Sequence, residues 1–139
     1  MIDEPTAIAL ANKQEIDPYT IVREYVQIRF LDVFFRIVKP KSFFFKGGTA
    51  IRLAYGSDRF SEDLDFTVTH GKTNPIEQAT KAIQLLKAEM PDISMKPVKT
   101  IAGQSAKISL QSFASHQPLT IKLDFSLRED VLTPQLAAI

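Results

Sequence analysis

The sequence predicts a single mixed α/β (α+β) domain, and three observations carry that expectation. Between about residues 18 and 38 apolar side chains recur at three- and four-residue steps, the period of an amphipathic helix. Leu64, Phe66 and Val68, and again Leu119, Ile121, Leu123 and Phe125, alternate with polar residues, the period of half-buried strands. Between these patterns, the stretch from Phe43 to Phe66 reads as strand, glycine turn and helix, followed by an acidic strand.

Taken in order, residues 1–16 give only a hint of a short helix at Ala7 to Ala11. Asp17-Pro18 supplies an N-cap and a first-turn proline, so a long helix starts there. Its apolar face is Ile21, Val22, Tyr25, Val26, Ile28, Leu31, Phe34, Phe35 and Val38, and the aromatic residues on it read as core rather than as a base-stacking platform. Pro40 ends the helix. Phe43-Phe44-Phe45 is short enough for a buried strand, Lys46-Gly47-Gly48-Thr49 forms a turn, and Ala50 to Tyr55 suits a short helix ended by Gly56. After the strand around Asp63 to Val68, Gly71 to Asn74 is a turn, and Asn74-Pro75 opens a helix with Ile76, Ala79, Ile83, Leu86 and Met90 on one face, ending near Pro91. Ile93 to Thr100 is extended but contains Pro97, which favours an edge strand. A turn at Ala102-Gly103-Gln104 joins it to a strand at Ala106 to Leu110 as a hairpin. Ser112 to Pro118 is a polar loop, and Leu119 to Ser126 is the last strand.

Composition narrows the function. A chain of 139 residues with 45% hydrophobic and 24% charged residues makes one soluble domain spanning 1–139. It has no apolar run of membrane-spanning length, and Met1 to Pro5 lacks the order of a signal peptide, so a cytoplasmic protein without a membrane partner is expected. With no cysteine and only His70 and His116 as histidines, thiolate chemistry and cysteine-ligated zinc are excluded, and a metal would be held mainly by oxygen. The net charge of +1 gives no general basic character, but Lys39, Lys41, Lys46, Arg52 and Arg59, offset by Asp58, make the segment before the acidic strand locally positive. Lys39 and Lys41 fit a solvated loop better than a ligand site.

The chemistry centres on the glycines and the aspartates. Gly47 and Gly48 let a ligand approach the main chain, and the free amides of a helix start attract anions, phosphate above all. On the strand that follows, alternation sends Leu64, Phe66 and Val68 to the core and Asp63 and Asp65 to the opposite face, their α-carbons about 6.5–7 Å apart. Two carboxylates so placed are costly unless cations neutralise them, and hard oxygen ligands suit magnesium. Glu62 points away from the pair. On the last strand, Lys122, Asp124 and Ser126 share one face, so three carboxylates converge if the two strands are neighbours.

Gly47-Gly48-Thr49 followed by Arg59-x-Ser61-x-Asp63-x-Asp65-Phe66, with Asp124 between apolar neighbours downstream, closely resembles the AbiEii-type nucleotidyltransferase toxins of the DNA polymerase β-like superfamily. The resemblance is strong over residues 40–126. It implies a polymerase β-like fold, a mixed twisted sheet flanked by helices, with the family's helical C-terminal half absent from a chain of this length. It implies transfer of a nucleoside monophosphate from a nucleoside triphosphate (ATP, GTP, CTP or UTP) to an acceptor, RNA such as tRNA, in a phage-defence toxin–antitoxin pair with a cognate antitoxin.

By the same resemblance Asp63, Asp65 and Asp124 are the catalytic and metal-binding residues for magnesium or manganese, with Asp124 nearest the attacking hydroxyl. Gly47, Gly48 and the amide and hydroxyl of Thr49 would hold the β- and γ-phosphates, and Arg59 and Ser61 occupy the family's polar positions before the acidic pair. Arg59 suits either the triphosphate or an ion pair with Asp58 or Glu62, and Lys122 suits an ion pair with Asp124. The alternative function is a non-catalytic domain that keeps the cradle and binds a nucleotide or a partner. An apolar face left by the absent helices would also allow homo-oligomers.

Overall fold

The computed structural model describes residues 1–69, 73–98 and 104–127. Helices α1 (Glu4–Gln14) and α2 (Pro18–Ile37) are followed by strand β1 (Phe43–Lys46), helix α3 (Gly47–Tyr55), strand β2 (Asp63–Val68), helix α4 (Pro75–Leu86) and strands β3 (Ser94–Val98), β4 (Gln104–Leu110) and β5 (Leu119–Leu127). The strands form one sheet in the order β1-β2-β5-β4-β3. Only β2 and β5 run parallel, and the other neighbours are antiparallel. The expected mixed sheet flanked by helices is therefore present. His70, the start of the turn at Gly71, the turn residues Ala102 and Gly103, and the segment after Leu127 lie outside the described residues.

Local signals explain most boundaries. Asp17 accepts from the Thr20 amide at 2.8 Å and Asn74 from the Glu77 amide at 3.2 Å, each with proline at the next position, as expected of capped helix starts. The opening helix is longer than the sequence hint, because Asp3 caps it through the Thr6 amide and Ala7 and Ala11 are small enough to bury against the body. Helix α4 stops at Leu86, before Met90. A tight turn there, in which the Met90 amide donates to the Leu86 carbonyl at 2.8 Å, still delivers Met90 to the core.

One face of the sheet packs on α2 and α4. Phe34 of α2 lies at the centre of an aromatic cluster, with ring centroids 4.9 Å from Phe43, 5.2 Å from Phe66 and 6.2 Å from Phe125. Those partners come from β1, β2 and β5, so one helical side chain spans the three strands that carry the site. Leu64, Ala106, Ile108, Ile121 and Leu123 are fully buried on the same face. Every residue between them on these strands must point the other way.

Away from the sheet, Glu89 ties α2 to the turn after α4. It accepts hydrogen bonds from the Tyr25 hydroxyl and from Arg29 Nε, the latter at 2.9 Å, and pairs with the Met1 amine at 2.9 Å. Burial pushes its carboxyl up, but these partners outweigh it and hold the value down at about 2. The folded value lies below the ordinary one of 4.5, so the contribution is complete above that pH and is lost as pH falls toward 2. Urea unfolding at about pH 5.5 and about pH 3, roughly 1–1.5 units either side of the ordinary carboxylate value, should show Glu89→Gln costing stability at the higher pH. The cost should shrink at the lower one, and an equal cost at both would refute this role.

Candidate active site

The polar face of the sheet holds the residues that the sequence singles out. Register places Lys46 of β1, Asp65 of β2, Asp124 of β5 and Ser105 of β4 in one continuous row. Asp65 and Asp124 are direct partners on the parallel pair, so their α-carbons are about 4.8 Å apart, one strand spacing. Asp63 lies two residues back on the same face, opposite Lys122. Asp65 is half-buried, and burial, then Asp124, then Asp63 push its carboxyl up, against the pull of Lys46 and Lys122. That is the signature of negative groups crowded together with too little water or counter-charge.

Asp124 is the better satisfied of the pair. The Ser105 hydroxyl donates to its Oδ1 at 2.6 Å, and Lys122 Nζ stands 3.6 Å from the same oxygen. Lys122 is thus an ion-pair partner of Asp124. Among the described residues, no three acidic or imidazole side chains are drawn tightly enough together to hold a metal ion as they stand. The donor set nevertheless suits a hard divalent cation: all carboxylate oxygens, on one face, with Asp65 destabilised by its like-charged neighbours.

The glycine segment meets this row from the β1 side. No separate turn intervenes between β1 and α3: the helix begins at Gly47 itself, because a φ of 84° there lets the chain leave the strand directly. A Cβ added at Gly47 would stand 2.5 Å from Asp65 Oδ2, and one at Gly48 would stand 3.3 Å from Ser61 Oγ. Asp65 and Ser61 are therefore pressed against the first residues of α3. Gly47 and Gly48 are exposed, and among the described residues no side chain caps this helix, whereas Asp3, Asp17 and Asn74 cap the other three. Free amides remain for an anion next to the carboxylates.

Thr49 differs from the expectation. Its side chain is buried and its hydroxyl donates to the Asp63 carbonyl at 2.5 Å, locking α3 onto the start of β2. A phosphate could reach its amide but not a hydroxyl already committed to the main chain. Arg59 is exposed and makes no ion pair among the described residues; Glu62 pairs instead with Arg23 at 3.3 Å. His116 lies in the loop between β4 and β5, at the far end of that pair from Ser105 and Asp124.

Two supporting residues, Gln27 and Ser105, were not singled out by sequence, and a third, Arg52, was read only as part of the locally positive segment. Gln27 of α2 is buried and its Nε2 donates to the carbonyls of Ser61 and Glu62 at 3.0 and 3.3 Å, fixing the segment that enters β2. Arg52 of α3 holds the same segment: it binds Glu24 of α2 at 3.0 Å, donates to the Ser57 carbonyl at 2.6 Å and lies 3.8 Å from the centre of the Phe60 ring. Ser105 sets the orientation of Asp124. A polar residue at a core position of α2 was the available signal for Gln27, and one more residue of alternation at the start of β4 for Ser105.

The model of the nucleotidyl transferase AbiEii toxin family of type IV toxin–antitoxin systems matches residues 29–139. The chain belongs to the AbiEii family. Among solved structures, this AbiEii chain is similar to JHP933 from Helicobacter pylori, with 24% identity, a TM-score of 0.57, and 78% of this chain covered against 44% of the other. It is similar also to a candidate nucleotidyltransferase from H. pylori, at 24% identity and a TM-score of 0.53, covering 80% of this chain and 52% of the other. These likenesses establish the fold. The AbiEii chain spans about half the length of the solved structures it matches. No curated protein matches it.

Gly47→Ala should destabilise the protein by about 1–3 kcal/mol, from a left-handed backbone and a Cβ driven into Asp65. Gly48→Ala, with ordinary φ and a movable serine opposite, should cost clearly less in the same thermal melts. Equal losses would mean that Gly47 is not held against the carboxylate.

Proposed function

We propose that this chain carries the nucleotidyl-transfer site of a toxin that moves a nucleoside monophosphate from a nucleoside triphosphate to an RNA acceptor such as tRNA. It would act in the cytoplasm as half of a phage-defence pair, neutralised by a cognate antitoxin. Family membership supports the reaction class, and the observation that carries it to particular residues is Asp65 in register with Asp124 beside the open amides of Gly47 and Gly48.

In this reaction an acceptor hydroxyl oxygen bonds to the α-phosphorus. The bond from that phosphorus to the oxygen bridging the β-phosphate breaks, and pyrophosphate leaves with the electron pair. Asp124, oriented by Ser105, is placed to take the hydroxyl proton. The amides of Gly47 and Gly48 bind oxygens of the departing phosphates, with Lys46 beside them and Arg59 exposed on the approach. Asp63, Asp65 and Asp124 would hold magnesium, or manganese in its place, which supplies Lewis-acid stabilisation of the phosphoryl oxygens when bound.

Calorimetric titration with each of the four nucleoside triphosphates tests the site. Magnesium-dependent binding of at least one is expected, with loss in the double variant Asp63→Asn plus Asp65→Asn. Undiminished binding in the variant would contradict the assignment. Transfer of labelled nucleotide to tRNA then separates the proposed enzyme from a domain that binds without transferring.

A further inference from the structure

A second row crosses the same face, one step along the strands from the carboxylate row. Lys96 of β3, Lys107 of β4 and Lys122 of β5 are direct partners in register, and the row ends on Asp63 of β2. All three lysines are exposed, and among the described residues neither Lys96 nor Lys107 forms an ion pair. Like charges directly opposite one another on adjacent strands are destabilising. Such an arrangement needs either a reason or a ligand. Protection of a sheet edge explains Lys96 and Pro97, since β3 is the edge strand, and the pair with Asp124 accounts for Lys122, but neither explains Lys107, which lies on an interior strand.

The neighbouring row on this face is Ser94, Ser109 and Thr120, again in register and with hydroxyls that can donate to phosphate oxygens. The lysines span two strand spacings, about 10 Å. Their position relative to the site has a direction. The glycine amides stand at the β1 side of the carboxylates, while the lysines lead away from Asp63 and Asp124 across β5, β4 and β3. The two sides of the carboxylate pair thus offer anion-binding groups of different kinds: main-chain amides for a compact triphosphate, and spaced ammonium groups for an extended polyanion.

We infer that Lys96, Lys107 and Lys122 form a phosphate track for the backbone of a single-stranded RNA end, bringing its terminal hydroxyl to Asp124 from the β3 side. This rests on the proposed nucleotidyl transfer for its purpose, and its test is separable from that reading. Charge complementarity favours nucleic acid, and continuity with the carboxylate row favours an acceptor over an unrelated partner.

The test compares the unaltered protein with the double variant Lys96→Gln plus Lys107→Gln, sparing Lys122 because it contacts Asp124. A fluorescent single-stranded RNA ending in a free 3′ hydroxyl is titrated across a range of salt, with magnesium-dependent triphosphate binding measured in parallel. The variant should bind the RNA about tenfold more weakly and lower the slope of log K against log salt by about 0.7 per lysine removed. Triphosphate binding and melting temperature should not fall. Unchanged RNA affinity and slope, or failure of the unaltered protein to bind RNA, would overturn the track while leaving the triphosphate site standing. Parallel loss of triphosphate binding would assign the lysines to the nucleotide instead. Lysine-dependent binding of poly-aspartate with no effect on RNA would assign them to an acidic protein. RNA binding that depends on the lysines, without any triphosphate binding, would keep the track and remove the transfer reading.

Discussion

The parallel pairing of β2 with β5 is the constraint on which the rest of the site depends. It sets Asp65 directly opposite Asp124, two carboxylates that repel at close range, and it extends the row to Lys46 on one side and Ser105 on the other. A shift of one residue would turn Asp124 into the aromatic core and Phe125 into solvent, so the register cannot slip without dismantling both faces. The unfavourable charge contact is thereby held in place by apolar packing behind it.

That packing is concentrated in Phe34, which touches β1, β2 and β5 at once, with Phe66 and Phe125 stacked on each other at 5.2 Å. The same helix reaches the front of the site by a different chemistry. Gln27 and Glu24 extend from α2 to hold the segment between α3 and β2, Gln27 directly and Glu24 through Arg52. One helix therefore fixes the strand register through its aromatic face and the approach to the acidic strand through its polar atoms. The position of α3 follows from Gly47, the only residue type that can sit against Asp65 with that backbone, and from the Thr49 hydroxyl on the Asp63 carbonyl.

The sequence made much of this legible because period-two alternation is a strong signal where one face is buried. It assigned Asp63, Asp65 and Asp124 to the polar face, and proline-marked caps located α2 and α4. Alternation within a strand, however, carries no information about which strand lies beside it. The pairing of β2 with β5, far apart in the chain, was visible only through the family resemblance. Thr49 shows a second limit: whether its hydroxyl faces a ligand or a backbone carbonyl depends on where α3 begins, and a glycine with positive φ moved that start forward to Gly47. The lysine row was hidden for the same reason as the strand pairing, since Lys96, Lys107 and Lys122 are unremarkable until β3, β4 and β5 are set in register.

On the proposed reading, the carboxylates of β2 and β5 and the first amides of α3 form one site for a metal-bound triphosphate. A crystal structure with manganese and a non-hydrolysable nucleoside triphosphate analogue tests this most directly, because anomalous scattering locates the ion independently of the nucleotide. An anomalous peak is expected among Asp63, Asp65 and Asp124, with phosphate oxygens on the amides of Gly47 and Gly48. An ordered analogue bound elsewhere, or manganese on other carboxylates with this face empty, would contradict it.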